Sequence, residues 1–209
     1  MHMQADKFVG SPMNPEYFVI MQSDCAAEME DWVSLQHDLE HVLYALNDLK
    51  QLLKDPDDSH TLVRALWTSA LVAYCRCFST GRRIRLDPET VFGPNNPDLE
   101  HHRKVTKMRD KHLAHPLKLE ESVIVGIHVD EAFVPESVAQ IIVFAVSGAE
   151  DEVANLVSVT SRLLSYVNEK TQNLKSKLLA EARCLSKDQL SSLPTLADTI
   201  RHGEHQDPP

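Results

Sequence analysis

Apolar side chains recur early in the chain at the spacing of an α-helix. Trp32, Leu35, Leu39, Val42, Leu46, Leu49 and Leu53 follow one another at alternating steps of three and four. This heptad stripe predicts a long helix over about 24–54. Ser23 and Asp24 offer its N-cap and Asp55-Pro56 stops it. A stripe of this kind must bury against a partner helix, in the same chain or in another. A second start at Asp57-Asp58-Ser59 leads into Leu62, Val63, Leu66, Trp67, Ala70, Leu71, Tyr74 and Phe78. Between Ala65 and Phe78 the segment is apolar on nearly every side, which predicts a central helix closed by Gly81. Residues 81–96 carry Pro and Gly and read as a loop long enough to have a function of its own.

A third helix is expected from Pro97-Asp98 to about His115, where Pro116 ends it. Its apolar positions are few (Leu99, Val105, Met108, Leu113), which makes it the most polar helix of the chain. The short β-branched runs 121–130 and 137–147 predict a two-stranded insert, and a lone hairpin must lean on the helices to persist. Val153, Leu156, Leu163, Leu164, Val167, Leu174 and Leu178 mark a fourth long helix from Glu150, and a short helix over 188–200 follows. The expected fold is mainly α, an up-and-down helical bundle with a β-hairpin insert at about 121–147 before the last long helix. Residues 1–22 read as an irregular lead-in, 23–201 as one helical-bundle domain, and 202–209 as a flexible tail.

Composition narrows the function classes. The chain has 209 residues, 43% hydrophobic and 25% charged, which is ordinary for a globular protein. No apolar run reaches the roughly 18–20 residues of a membrane helix, and the N-terminus lacks a basic-then-apolar export signal. A cytoplasmic protein without a membrane anchor is expected. Six glycines and the absence of GxGxxG and GxxxxGK[ST] argue against Rossmann and P-loop nucleotide enzymes. Cys25, Cys75, Cys77 and Cys184 form no CxxC and no zinc spacing, so free thiols are expected.

Charge is uneven. The chain carries a net −10, yet Arg76–Lys118 holds ten basic residues against five acidic ones. A basic stretch inside an acidic protein is what a local anion site would look like, and it is also what a solvated helix face looks like. Four of the eleven histidines, His101, His102, His112 and His115, fall within it. His112 and His115, at i and i+3, have the spacing to share a cation, but Arg109 and Lys111 beside them repel one, and no metal or other cofactor is expected. The other reading is an anion site with acid–base capacity. Arg109 offers a planar fork of donors for two phosphate oxygens, and His115 titrates near neutrality. On an ideal helix the two lie about 240° apart. A last turn loosened by Pro116 would let the His115 ring swing back, and Asp110 would orient either group. Arg76 interrupts an apolar face, so it must meet a carboxylate of the first helix or reach towards the same anion site.

The run Arg109-Asp110-Lys111-His112-Leu113-Ala114-His115 resembles the signature of the HEPN superfamily (higher eukaryotes and prokaryotes nucleotide-binding): an Arg, a polar residue, then a His after four to six intervening positions. The preceding stretch WTSALVAYCRCFSTGRR also looks like the helix that comes before the signature in bacterial HEPN proteins of the abortive-infection and toxin type. The resemblance implies a helical bundle that dimerises with the two signature helices facing one another across a composite cleft. It implies a metal-independent endoribonuclease in which the ribose 2′-OH attacks the adjacent phosphodiester, giving a 2′,3′-cyclic phosphate and a 5′-OH. Arg109, Asp110 and His115 would be the catalytic residues, and Arg76, Arg82, Arg83, Lys111 and His112 would bind RNA phosphates. RNA, a second copy of the chain and an antitoxin or regulatory protein are the implied partners, in a toxin or phage-defence setting. Some members of the family are non-catalytic dimers that bind nucleotide, RNA or a protein, and that is the alternative for this chain.

Overall fold

A computed structural model of the chain describes residues 14–54, 60–81, 83–110, 121–131, 133–144 and 150–203. The fold is mainly α. Contacts divide the chain into two compact units, Trp32–Glu169 and a smaller one formed by Met1–Asp31 with Lys170–Pro209.

The larger unit takes most of helix α1 (Asp24–Leu52), all of α2 (His60–Arg76), α3 (Pro88–Phe92) and α4 (Pro97–Arg109), strands β1 (Glu121–Val129) and β2 (Pro135–Phe144), and the first half of α5 (Glu150–Cys184). Its core follows the heptad stripe. Leu35, Leu39, Val42, Leu46 and Leu49 of α1 are fully shielded from solvent, as are Leu156, Leu163 and Val167 of α5. Each Leu buried in this way stabilises the fold by about 1.5–3 kcal/mol relative to leaving it exposed. Trp32 of α1 meets Tyr166 of α5 edge to face, with ring centroids 6.0 Å apart.

Helix α2 supplies Trp67, Ala70, Leu71, Tyr74 and Cys75 to the core, with Cys77 just after it, but it is not enclosed. Leu62 and Val72 are exposed, and they share a stripe with Ser69 and Arg76. Those two polar side chains reach the first helix: Ser69 Oγ lies 2.8 Å from His41 Nε2, and Arg76 Nη1 lies 3.7 Å from Asp38 Oδ1. The apolar run therefore hid an outward side, marked only by its polar members.

The expected loop over 81–96 contains a helical turn. Asp87 caps α3 by accepting from Thr90 N at 2.9 Å, and Gly93, at φ +79, closes it in a conformation that a side chain would strain. Asn96 then caps α4 through Asp98 N at 2.9 Å while its amide donates to Phe92 O at 2.8 Å. One side chain thus fixes the angle at which α4 leaves α3. Pro97 occupies the first turn of α4, where its missing N–H costs nothing.

The strands β1 and β2 pair antiparallel, with Ile127 opposite Val138 and Val125 opposite Gln140. Val125, Ile127 and Val138 are exposed, so the helices do not cover that face of the pair.

In the smaller unit, a 3-10 turn at Pro15–Tyr17 precedes an isolated bridge between Val19 and Thr195. Leu196 N donates to Phe18 O and Ile20 N to Pro194 O, both at 2.8 Å. The final helical stretch is two pieces, α6 (Lys187–Ser191) and α7 (Leu196–Gly203), because Pro194 interrupts it. Ser186 and Gln189 form a capping box at the start of α6. The fourth expected helix runs on to Cys184, with Thr171 and Leu174 continuing its buried face. The four cysteines are free thiols, Cys75 and Cys77 buried and Cys184 exposed.

Candidate active site on helix α4

Helix α4 has two chemically different flanks. The first packs on α2 and is apolar and aromatic. His102, buried there, places Nδ1 3.1 Å from the Tyr74 hydroxyl, and its ring centroid lies 4.2 Å from that of Phe78 and 6.0 Å from that of Phe92. Burial, with Arg103 and His101 adding to it, pushes the His102 pKa down to about 4, so the ring is neutral near pH 7. Burial also pushes the Tyr74 hydroxyl well above its usual range. Of the four clustered histidines, His102 is thus a core side chain.

Arg109 lies on the same flank, at the last turn of α4. Its Nε is 3.1 Å from Asp110 Oδ1, but the N–H does not point at the carboxylate, and this buried nitrogen makes no hydrogen bond among the described residues. The side chain is about one-third exposed. Across the helix interface stands Cys75 of α2. Burial raises its thiol pKa, while Arg109 and the Thr106 hydroxyl pull it down. The guanidinium is therefore held between a carboxylate and a buried thiol, with one N–H unspent. Asp110 is exposed, and its N–H is shared between the carbonyls of Lys107 and Thr106. His115, Lys111, His112 and Arg82 lie outside the described residues.

The remaining expected phosphate contacts have protein partners. Asp38 of α1 receives both Arg76 and Arg83, and Arg83 Nη1 also donates to Ser34 Oγ at 2.7 Å. Arg76 does meet a carboxylate of the first helix, but its side chain is 61% exposed, so no guanidinium is buried in the apolar face of α2. Burial, reinforced by Asp38, pushes the Cys77 thiol up to about 12.

The second flank of α4 faces α5 across an open groove of about 630 Å³. Lys104 donates to Glu152 Oε1 at 2.8 Å, and Arg162 of α5 donates to the buried Asp98 at 2.6 Å. Sequence reasoning missed this groove. The cations of α4 were visible as a basic run, but Asp98 and Arg162 are 64 positions apart, and nothing local announces their meeting.

Among the described residues no three His, Cys, Asp or Glu side chains gather as a metal site, and no helix is long and apolar enough to cross a membrane. Compared with family models, curated proteins and solved structures, the chain matches none of them.

Proposed function

We propose that this chain is a metal-independent endoribonuclease of HEPN type, with Arg109, Asp110 and His115 as its catalytic residues. One observation carries the reading. The signature Arg109 projects from the end of a polar helix, part-buried against α2, with a carboxylate beside it and a buried N–H that has no acceptor among the described residues. A part-buried guanidinium of this kind is suited to charge that develops on a phosphorane oxygen.

In this reading the 2′-oxygen bonds to phosphorus as its proton passes to His115. The bond from phosphorus to the 5′-oxygen breaks, and that oxygen takes up a proton. The products are a 2′,3′-cyclic phosphate and a 5′-hydroxyl. General acid–base help of this kind contributes about 10²–10⁴-fold. Asp110 holds the guanidinium in register. The working unit is a homodimer with paired α4 helices, and a toxin or defence role with a regulatory partner follows from the same resemblance.

The alternative, a non-catalytic dimer that binds RNA, nucleotide or a protein, is favoured by the Arg109–Asp110 proximity, which partly neutralises the cation. Incubating the protein with RNA in EDTA separates the two. The ribonuclease reading expects cleavage with cyclic-phosphate ends, lost in both Arg109→Ala and His115→Ala. Binding without cleavage leaves the alternative standing.

A further inference from the structure

On a helical wheel, Arg109 lies about 140° from Lys104, so the signature and the groove open on different sides of α4. The groove differs in charge balance from the chain as a whole. Its lining and Glu152 together carry Arg103, Lys104, Lys107 and Arg162 against Asp98, Glu100 and Glu152, a surplus of +1 in a protein of net −10. Arg162 and Lys104 are answered by Asp98 and Glu152. That leaves Arg103 and Lys107 against Glu100. Arg103 is held only at 3.6 Å by Glu89, and both side chains are mostly exposed, so the pair is worth little. Lys107 has no ion-pair partner among the described residues.

A second observation points to a ligand rather than a solvated face. Two polar atoms are buried with no hydrogen-bond partner among the described residues: Nε2 of His101, which lines the groove, and Oε2 of Glu152, whose other oxygen accepts from Lys104 of the lining. Buried polar atoms without partners are rare, and each costs about 1–3 kcal/mol until something bonds to it. Glu152 pairs with Lys104 of the lining and acts electrostatically on His101, whose pKa burial and Lys104 lower. A hydroxyl, which both donates and accepts, suits a carboxylate oxygen beside a neutral ring nitrogen. Cations at the rim and a hydroxyl site at the floor describe a ribose–phosphate chain.

We propose that the α4–α5 groove is a second RNA-binding site, in which Arg103 and Lys107 hold backbone phosphates and the His101–Glu152 floor receives a ribose hydroxyl. The choice of RNA rests on the ribonuclease reading, whereas the groove's geometry does not. The groove positions the strand and takes no part in cleavage.

The test is fluorescence anisotropy of a labelled single-stranded RNA of about 20 nucleotides, in EDTA, across a salt series. Arg103→Gln with Lys107→Gln, both exposed and expected to fold normally, should weaken binding about tenfold. The slope of log affinity against log salt should flatten by about 1.4, the value for two phosphate contacts on a single strand. The same oligonucleotide made of DNA should bind more weakly, and equal affinity would overturn the hydroxyl assignment. Unchanged affinity and slope in the double variant overturn the groove site. So does a groove that binds inorganic pyrophosphate while RNA binding ignores the double variant, since that marks a small-anion site. The two readings fail separately. Groove-dependent binding without cleavage defeats only the ribonuclease, and cleavage lost in Arg109→Ala with groove-independent binding defeats only the groove.

Discussion

The two flanks of α4 show how one short helix can serve packing on one side and polar recognition on the other. Towards α2, a histidine, a tyrosine and two phenylalanines enclose one another, and Arg109 enters that dry boundary at its edge. Towards α5, the side chains are long, charged and mostly exposed, and their pairs cross the open groove. The residues alternate between the flanks every one or two positions, so adjacent histidines part company: His102 is core, and His101 lines the groove. Low dielectric makes each polar group on the α2 flank consequential, and solvent screening makes each pair on the α5 flank weak.

The largest expected effect lies at the end of the dry flank. Arg109→Ala should lower RNA cleavage by about 10²–10³-fold, the scale of losing one donor to a developing oxyanion. Folding should be retained, because the guanidinium is part-exposed. Gel analysis of cleavage rates beside a thermal melt checks both halves of the statement.

Next comes the acid sensitivity of the same flank. The folded-state pKa of His102, about 4, lies below the unfolded value of 6.5. Between those values the unfolded chain binds a proton that the folded chain refuses. The stability is therefore fully present above pH 6.5, falls as pH drops through the window, and levels off below pH 4. The loss attributable to His102 should be about 3 kcal/mol. Urea unfolding from pH 7 to pH 4 measures it. His102→Gln should start from a lower stability at pH 7 and show a flatter pH dependence. An equal slope in the variant would remove His102 as the cause.

The groove side should respond in affinity and not in stability. The tenfold loss of RNA binding in the Arg103 and Lys107 double variant should come with a change in unfolding free energy within about 0.5 kcal/mol, as for exposed surface substitutions. The smallest effect is expected for Lys104→Ala. Its pair with Glu152 has a mostly exposed lysine, so its removal should cost under about 1 kcal/mol, and less in high salt. A larger loss would mean that the two flanks are less different than their exposure suggests.

Much of the scaffold was legible because it depends on local repetition. Steps of three and four place Leu35, Leu39, Val42, Leu46 and Leu49 on one line, and burial follows from that line whatever covers it. Pro97-Asp98 marks the start of α4, since a proline suits the first turn of a helix. Other features escaped because their cause is not local. The turn of α3 was hidden in a segment read as loop, where Asp87 and Gly93 were the available signals. Arg83 looked like a free cation until the fold brought Asp38, 45 positions earlier, against it.

By itself, then, the sequence determined where the long helices lie, which faces of the first and the last long helix turn inward, and that Arg109 and Asp110 fall on the most polar helix. Only the tertiary structure decided that Cys75 stands beside Arg109, that His102 lies in the core, and that Arg162 crosses to Asp98 to wall a groove. The reason is physical. Periodicity and capping energies are set within a few residues, whereas desolvation and charge pairing depend on which distant helix happens to face each side chain.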